Sequence, residues 1–87
     1  MNILIIEDNE QNLYMVTFLL TARGHRVTGA RTGHEGLTLA EQQVFDIILL
    51  DIQLPEMDGY TVAHALRQIP SCARLPIVAV TSYALAD

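Results

Sequence analysis

Eighty-seven residues with ten acids against five bases carry a formal charge of -5 and a pI near 4.9, which makes one domain at most. Hydrophobic residues at 51% and charged ones at 17% exclude a disordered chain, and the lack of any basic cluster argues against direct nucleic-acid binding. Cys72 is alone, no apolar run reaches the roughly 18 residues of a membrane span, and residues 1–20 lack a basic n-region and cleavage site, so a cytoplasmic chain that neither spans a membrane nor is exported is expected.

The apolar run ILII at 3–6 is too short for a helix and suits a strand covered on both faces, ending at Glu7. Asn9 is placed to cap a helix in which Leu13, Val16, Thr17 and Leu20 recur at helical spacing, and Gly24 can close it. Residues 26–30 read as a brief extended piece. Thr32 and Glu35 have the spacing of a capping box, opening a second helix to about Gln43. Residues 45–50 form the next buried strand, followed by a turn through Pro55 and Gly59. Asp58 then caps a third helix, in which Val62, Ala65, Leu66 and Ile69 repeat at helical spacing up to Pro70. PIVAV at 76–80 is a β-branched strand ending at Thr81. His25, His34 and His64 have no metal-ligand spacing and are assigned to the surface.

The alternation β-α-β-α-β-α-β predicts an α/β fold with a parallel sheet and right-handed crossovers. Ligands of such sheets bind beyond the carboxyl ends of the strands. Asp51 ends the third strand, Glu7 and Asp8 end the first, and Thr81 ends the fourth at the same rim. If the first and third strands are neighbours, three carboxylates converge and repel. Mg²⁺ would relieve that repulsion, since it takes oxygen ligands and usually works with one or two carboxylates and phosphate oxygens. Beside it a carboxylate can attack a phosphoryl group, and Asp51, between an apolar strand and a turn, is best placed to do so.

The segments ILIIEDNEQN, IILLDIQLPEMDGY and PIVAVTSYA resemble, in order and spacing, the acidic pair, phosphoacceptor segment and hydroxyl segment of response regulator receiver domains. The resemblance covers the whole chain. It implies a flavodoxin-like doubly wound sheet in strand order 2-1-3-4, with Asp51 taking a phosphoryl group from a histidine kinase or histidine phosphotransfer protein and signalling to a downstream protein target. It also implies that Asp8, Asp51 and the backbone carbonyl of Gln53 hold Mg²⁺, that Glu7 assists through a metal-bound water, and that Thr81 meets the phosphoryl oxygens. Gln53 and Tyr83 would gate the hydrolytic water. "EDNEQN" and "TSYALAD" are most similar to single-domain relay proteins and to receivers of hybrid histidine kinases. Met1, directly before the first strand, favours a stand-alone regulator.

The family pattern continues past Asp87 through a fourth helix, a fifth strand carrying a lysine, and a fifth helix, whereas this chain has no lysine. Residues 1–87 therefore read as a receiver incomplete at its carboxyl end, with an exposed fourth strand through which it could self-associate. Two other classes stand beside the phosphoacceptor. One is a receiver-shaped interaction module that is not phosphorylated. The other is a phosphohydrolase with an aspartyl nucleophile, disfavoured because Gln53 occupies the place of its general acid.

Overall fold

The computed structural model describes residues 1–54 and 57–80. Its elements follow the alternation: β1 (Asn2–Ile6), α1 (Glu10–Ala22), β2 (Arg26–Ala30), α2 (Gly33–Gln42), β3 (Ile47–Asp51), α3 (Gly59–Arg67), a 3-10 turn (Pro70–Cys72) and β4 (Ile77–Val80). All strand pairs are parallel and the order is β2-β1-β3-β4, the flavodoxin-like doubly wound order expected.

That order sets the layers. The crossover from β1 to β2 runs one way along the sheet and those from β2 to β3 and β3 to β4 run the other. With right-handed connections, α1 therefore lies on one face and α2 and α3 on the opposite one. The core on the α2 and α3 face joins Leu4, Ile6, Ala30, Ile48 and Leu50 to Ala40, Val62 and Leu66. The alternate residues Ile3 and Ile5 point the other way and are also buried, so from Ile3 to Ile6 β1 is apolar on both faces.

Local chemistry fixes the helix ends. Asn9, Thr32 and Asp58 each accept a hydrogen bond from the backbone N–H three residues on, from Asn12 at 2.9 Å, Glu35 at 3.0 Å and Thr61 at 2.9 Å. The Thr61 N–H, as the leading contact, holds the Asp58 carboxyl below its ordinary value. At the far end of α1, Gly24 has φ +90°, its N–H donates to the Thr21 carbonyl at 3.0 Å, and the His25 N–H donates to Leu20 at 3.2 Å. The two bonds make a Schellman cap, which supports the role expected of Gly24.

Three details differ from the sequence reading. The third strand begins at Ile47 and includes Asp51, because ladder partners decide strand ends: Ile48 pairs with Ile77 and Asp51 with Val80. Helix α3 stops at Arg67, and Ile69 falls in a tightened tail whose N–H donates to Leu66. Arg67 Nη1 then donates to the carbonyls of Cys72 at 3.0 Å, Ala73 at 3.4 Å and Leu75 at 2.6 Å, which holds the loop leading into β4. Finally, His25 is half-buried, with the Met1 ammonium donating to its Nδ1 at 3.1 Å, while His34 and His64 are exposed.

The turn from β3 into α3 depends on a close approach at Gly59. Its N–H donates to the Ile52 carbonyl at 3.2 Å, and a Cβ there would collide with the Ile52 backbone at Cα. Backbone cannot yield as a side-chain tip can. The variant Gly59→Ala is expected to lose about 1–3 kcal/mol in urea unfolding, and a wild-type midpoint would show that the turn relaxes without cost.

Candidate functional site

The site lies where the apolar strands β1 and β3 run out side by side. Ile6 and Leu50 are register partners, so Glu7 and Asp51 are the next residues of adjacent strands. The Glu7 N–H still donates to the Ala30 carbonyl at 2.9 Å, which keeps this end of β1 in the sheet. As a result Asp51 is fully buried, Glu7 is only 4% exposed and Asp8 is half-buried. Glu7, Asp8 and Asp51 each offer a carboxylate oxygen, all within 4.8 Å of one another.

Each buried carboxylate is partly satisfied by the turn that follows it. Asp51 Oδ1 accepts from the Gln53 N–H at 2.9 Å, and Glu7 Oε2 accepts from the Asn9 N–H at 3.1 Å. Asp51 Oδ2 is buried and has no hydrogen-bond partner among the described residues. A buried acceptor left unsatisfied costs on the order of 1–3 kcal/mol, so that oxygen calls for a proton donor or a cation.

Glu7 answers part of that demand. Burial, as the largest influence, together with the Asp51 and Asp8 carboxylates, pushes its carboxyl from 4.5 up to about 7, against the opposing pull of the Asn9 N–H. A protonated Glu7 is a donor to Asp51. A hard divalent cation replaces that proton and meets three oxygens at once. The orphaned oxygen and the all-oxygen donor set therefore fit Mg²⁺.

The structure brings together Glu7, Asp8 and Asp51 as the sequence led one to expect. Gln53 is exposed, with its N–H turned to Asp51. Thr81 and Tyr83 lie outside the described residues, as does Pro55. Two contributors escaped the sequence reading: the Asn9 N–H, where Asn9 was read only as a helix cap, and the buried state of Glu7.

Comparison with known proteins agrees with this geometry. The family model described as the response regulator receiver domain matches residues 3–87. The chain belongs to the response regulator receiver domain family. It is 38% identical over 84 residues to the polar-differentiation response regulator DivK of Brucella ovis, covering 97% of this chain and 68% of DivK. It is 36% identical over 86 residues to the signal transduction histidine-protein kinase BarA of Escherichia coli K12, covering 99% of this chain but 9% of BarA. Among solved structures, the receiver domain of sensor histidine kinase PA1611 from Pseudomonas aeruginosa PAO1, described with a magnesium ion in its active site cleft, superposes with a TM-score of 0.89 at 38% identity. That match covers 97% of this chain and 69% of the other. The chemotaxis protein CheY4 of Vibrio cholerae superposes with a TM-score of 0.88 at 29% identity, over 90% of this chain and 65% of that one. As a receiver, the chain is a signalling module of two-component systems and not a metabolic enzyme.

The Glu7 shift gives this receiver a pH dependence. A carboxyl raised in the folded state binds its proton more tightly folded than unfolded, so its stabilising share is complete below about pH 4.5 and is lost as pH rises through about 7. In metal-free buffer the stability of wild type relative to Glu7→Gln should fall across that window. Parallel pH profiles for the two proteins would contradict the assignment.

Proposed function

We propose that residues 1–87 act as a phosphoacceptor of a two-component phosphorelay, in which Asp51 takes a phosphoryl group from a histidine kinase or histidine phosphotransfer protein with Mg²⁺ at the site. The observation that carries this reading is the Asp51 carboxylate: fully buried, with Oδ1 held by Gln53 N–H and Oδ2 without a partner among the described residues, beside two further carboxylates. The Gln53 N–H orients the carboxylate, and the apolar end of β3 limits water around it. A carboxylate oxygen of Asp51 forms a bond to phosphorus as the donor's P–N bond breaks, and that bonding pair leaves on the imidazole nitrogen, which then takes a proton.

Asp8 and Asp51 with the Gln53 carbonyl would hold the ion, and Glu7 would reach it through a water. Bound there, Mg²⁺ would neutralise charge on the transferring oxygens. Thr81 would contact the same oxygens, and Gln53 with Tyr83 would set the lifetime of the acyl phosphate through access of water. Slow self-phosphorylation from small donors and slow self-dephosphorylation belong to the same proposal. The location proposed is the cytoplasm, whose reducing conditions suit the lone Cys72. Among the described residues no helix is long and apolar enough to cross a membrane.

A downstream protein target would read the phosphorylated form. β4 is the outer strand of the described sheet, and Val78 on it is exposed, so self-association through this edge is a further expectation for the 87-residue chain in isolation.

Intact mass after incubation with acetyl phosphate and Mg²⁺ tests the reading. One added phosphoryl group in wild type and none in Asp51→Asn is the expected result. A folded, Mg²⁺-binding protein that gains nothing would favour an interaction module that is not phosphorylated, and multiple turnovers of a phosphate ester would favour a hydrolase.

Mg²⁺ should also stabilise the fold by about 2.7 kcal/mol at a hundredfold excess over its dissociation constant. An unchanged Tm on adding Mg²⁺ would mean that the three carboxylates do not form a metal site.

A further inference from the structure

The basic residues of this chain are five arginines, and four of them stand at the amino end of the sheet, away from the acids described above. Arg23 caps the carboxyl end of α1, Arg26 opens β2, and Arg67 ends α3 with Nη1 engaged by three carbonyls; Arg74 precedes β4. Helices that return antiparallel to the strands necessarily leave their last turns at that end. Arg31 is the exception. It follows the last residue of β2, at the carboxyl rim.

Its place relative to the site is set by register. Ala30 pairs with Ile6 and Ile6 with Leu50, so Arg31, Glu7 and Asp51 are the next residues of three neighbouring strands, in one row. Two strand spacings separate Arg31 from Asp51, roughly 10 Å between backbones, a gap that an arginine side chain and an acyl phosphate can close from opposite sides. The backbone is tethered, with the Arg31 N–H donating to Glu35 Oε1 at 3.3 Å. The side chain is exposed and its guanidinium has no hydrogen bond or ion pair among the described residues.

The charge balance at the site calls for such a group. Three carboxylates and a transferred phosphoryl group outweigh one divalent cation. A guanidinium remains charged at any working pH, and its forked donors match phosphoryl oxygens. We propose that the Arg31 guanidinium contacts the phosphoryl group on Asp51 and supplies positive charge to it. The assignment rests on the phosphoacceptor reading and adds a residue to it.

The test compares wild type, Arg31→Gln, Arg31→Lys and the control Arg26→Gln, which removes the same charge from the opposite end. Rates of phosphorylation by acetyl phosphate with Mg²⁺ are read by intact mass. The Tm shift produced by beryllium trifluoride, a phosphoryl mimic that bonds to a carboxylate, is read in parallel. Arg31→Gln is expected to slow phosphorylation by about tenfold or more, the effect of losing one charge-assisted hydrogen bond, and to shrink the mimic's Tm shift. Arg31→Lys should recover part of both, and Arg26→Gln should match wild type. Arg31→Gln with wild-type rate and Tm shift would overturn the assignment, as would equal losses in Arg31→Gln and Arg26→Gln, which would indicate net charge alone. Wild type that takes up no phosphoryl group and shows no shift with the mimic would instead defeat the phosphoacceptor reading, and this assignment with it.

Discussion

The structure turns on carboxylates held out of water at the end of an apolar sheet. Asp51 is placed there by its pairing with Val80 across β3 and β4, and Glu7 by its N–H bond to Ala30 across β1 and β2. Neither acid can move to solvent without opening a ladder. Their charge must therefore be answered locally, by the N–H groups of Asn9 and Gln53, by a proton on Glu7, or by a cation. The metal affinity and the reactivity proposed for Asp51 follow from that one constraint.

Topology supplies the constraint cheaply in sequence terms. Parallel strands in the order β2-β1-β3-β4 put the ends of β1 and β3 side by side where the connections diverge to opposite faces. The acids need only follow an apolar run in each strand. Around them the chain keeps its turns tight: Gly59 backs onto Ile52, and Asn9 serves both the Glu7 carboxylate and the start of α1. Helix α1 is packed more lightly. Leu13 lies over Gly29, yet no residue of the helix is buried, and Tyr14 and Phe18 stack on each other at 6.5 Å on its outer side.

Much of this was legible in the sequence, because much of it is local. Short apolar runs, capping residues three before their N–H partners, and the glycine after α1 each carry their meaning within a few residues. The strand order and the convergence of Glu7, Asp8 and Asp51 were legible through the alternation of elements and the family resemblance. What was not legible depends on partners distant in sequence. The start of β3 moved from Phe45 to Ile47 because its ladder with β1 begins there. Ile69 kept helical spacing but lies past the end of α3, where Pro70 and the Arg67 clamp take over. Spacing likewise predicted an apolar face on α1 but not how fully it would be covered, and nothing local announced that Glu7 would be buried. The contribution expected of Thr81 lies outside the described residues.

The central claim is that one carboxylate among three close neighbours carries the phosphoryl group. After exposure to a small phosphoryl donor with Mg²⁺, borohydride reduction converts an aspartyl phosphate to homoserine, and peptide mass spectrometry locates the change. The account predicts homoserine at position 51 alone. Reduction at Asp8 or Glu7, or at no carboxylate of a protein that had taken up a phosphoryl group, would contradict it.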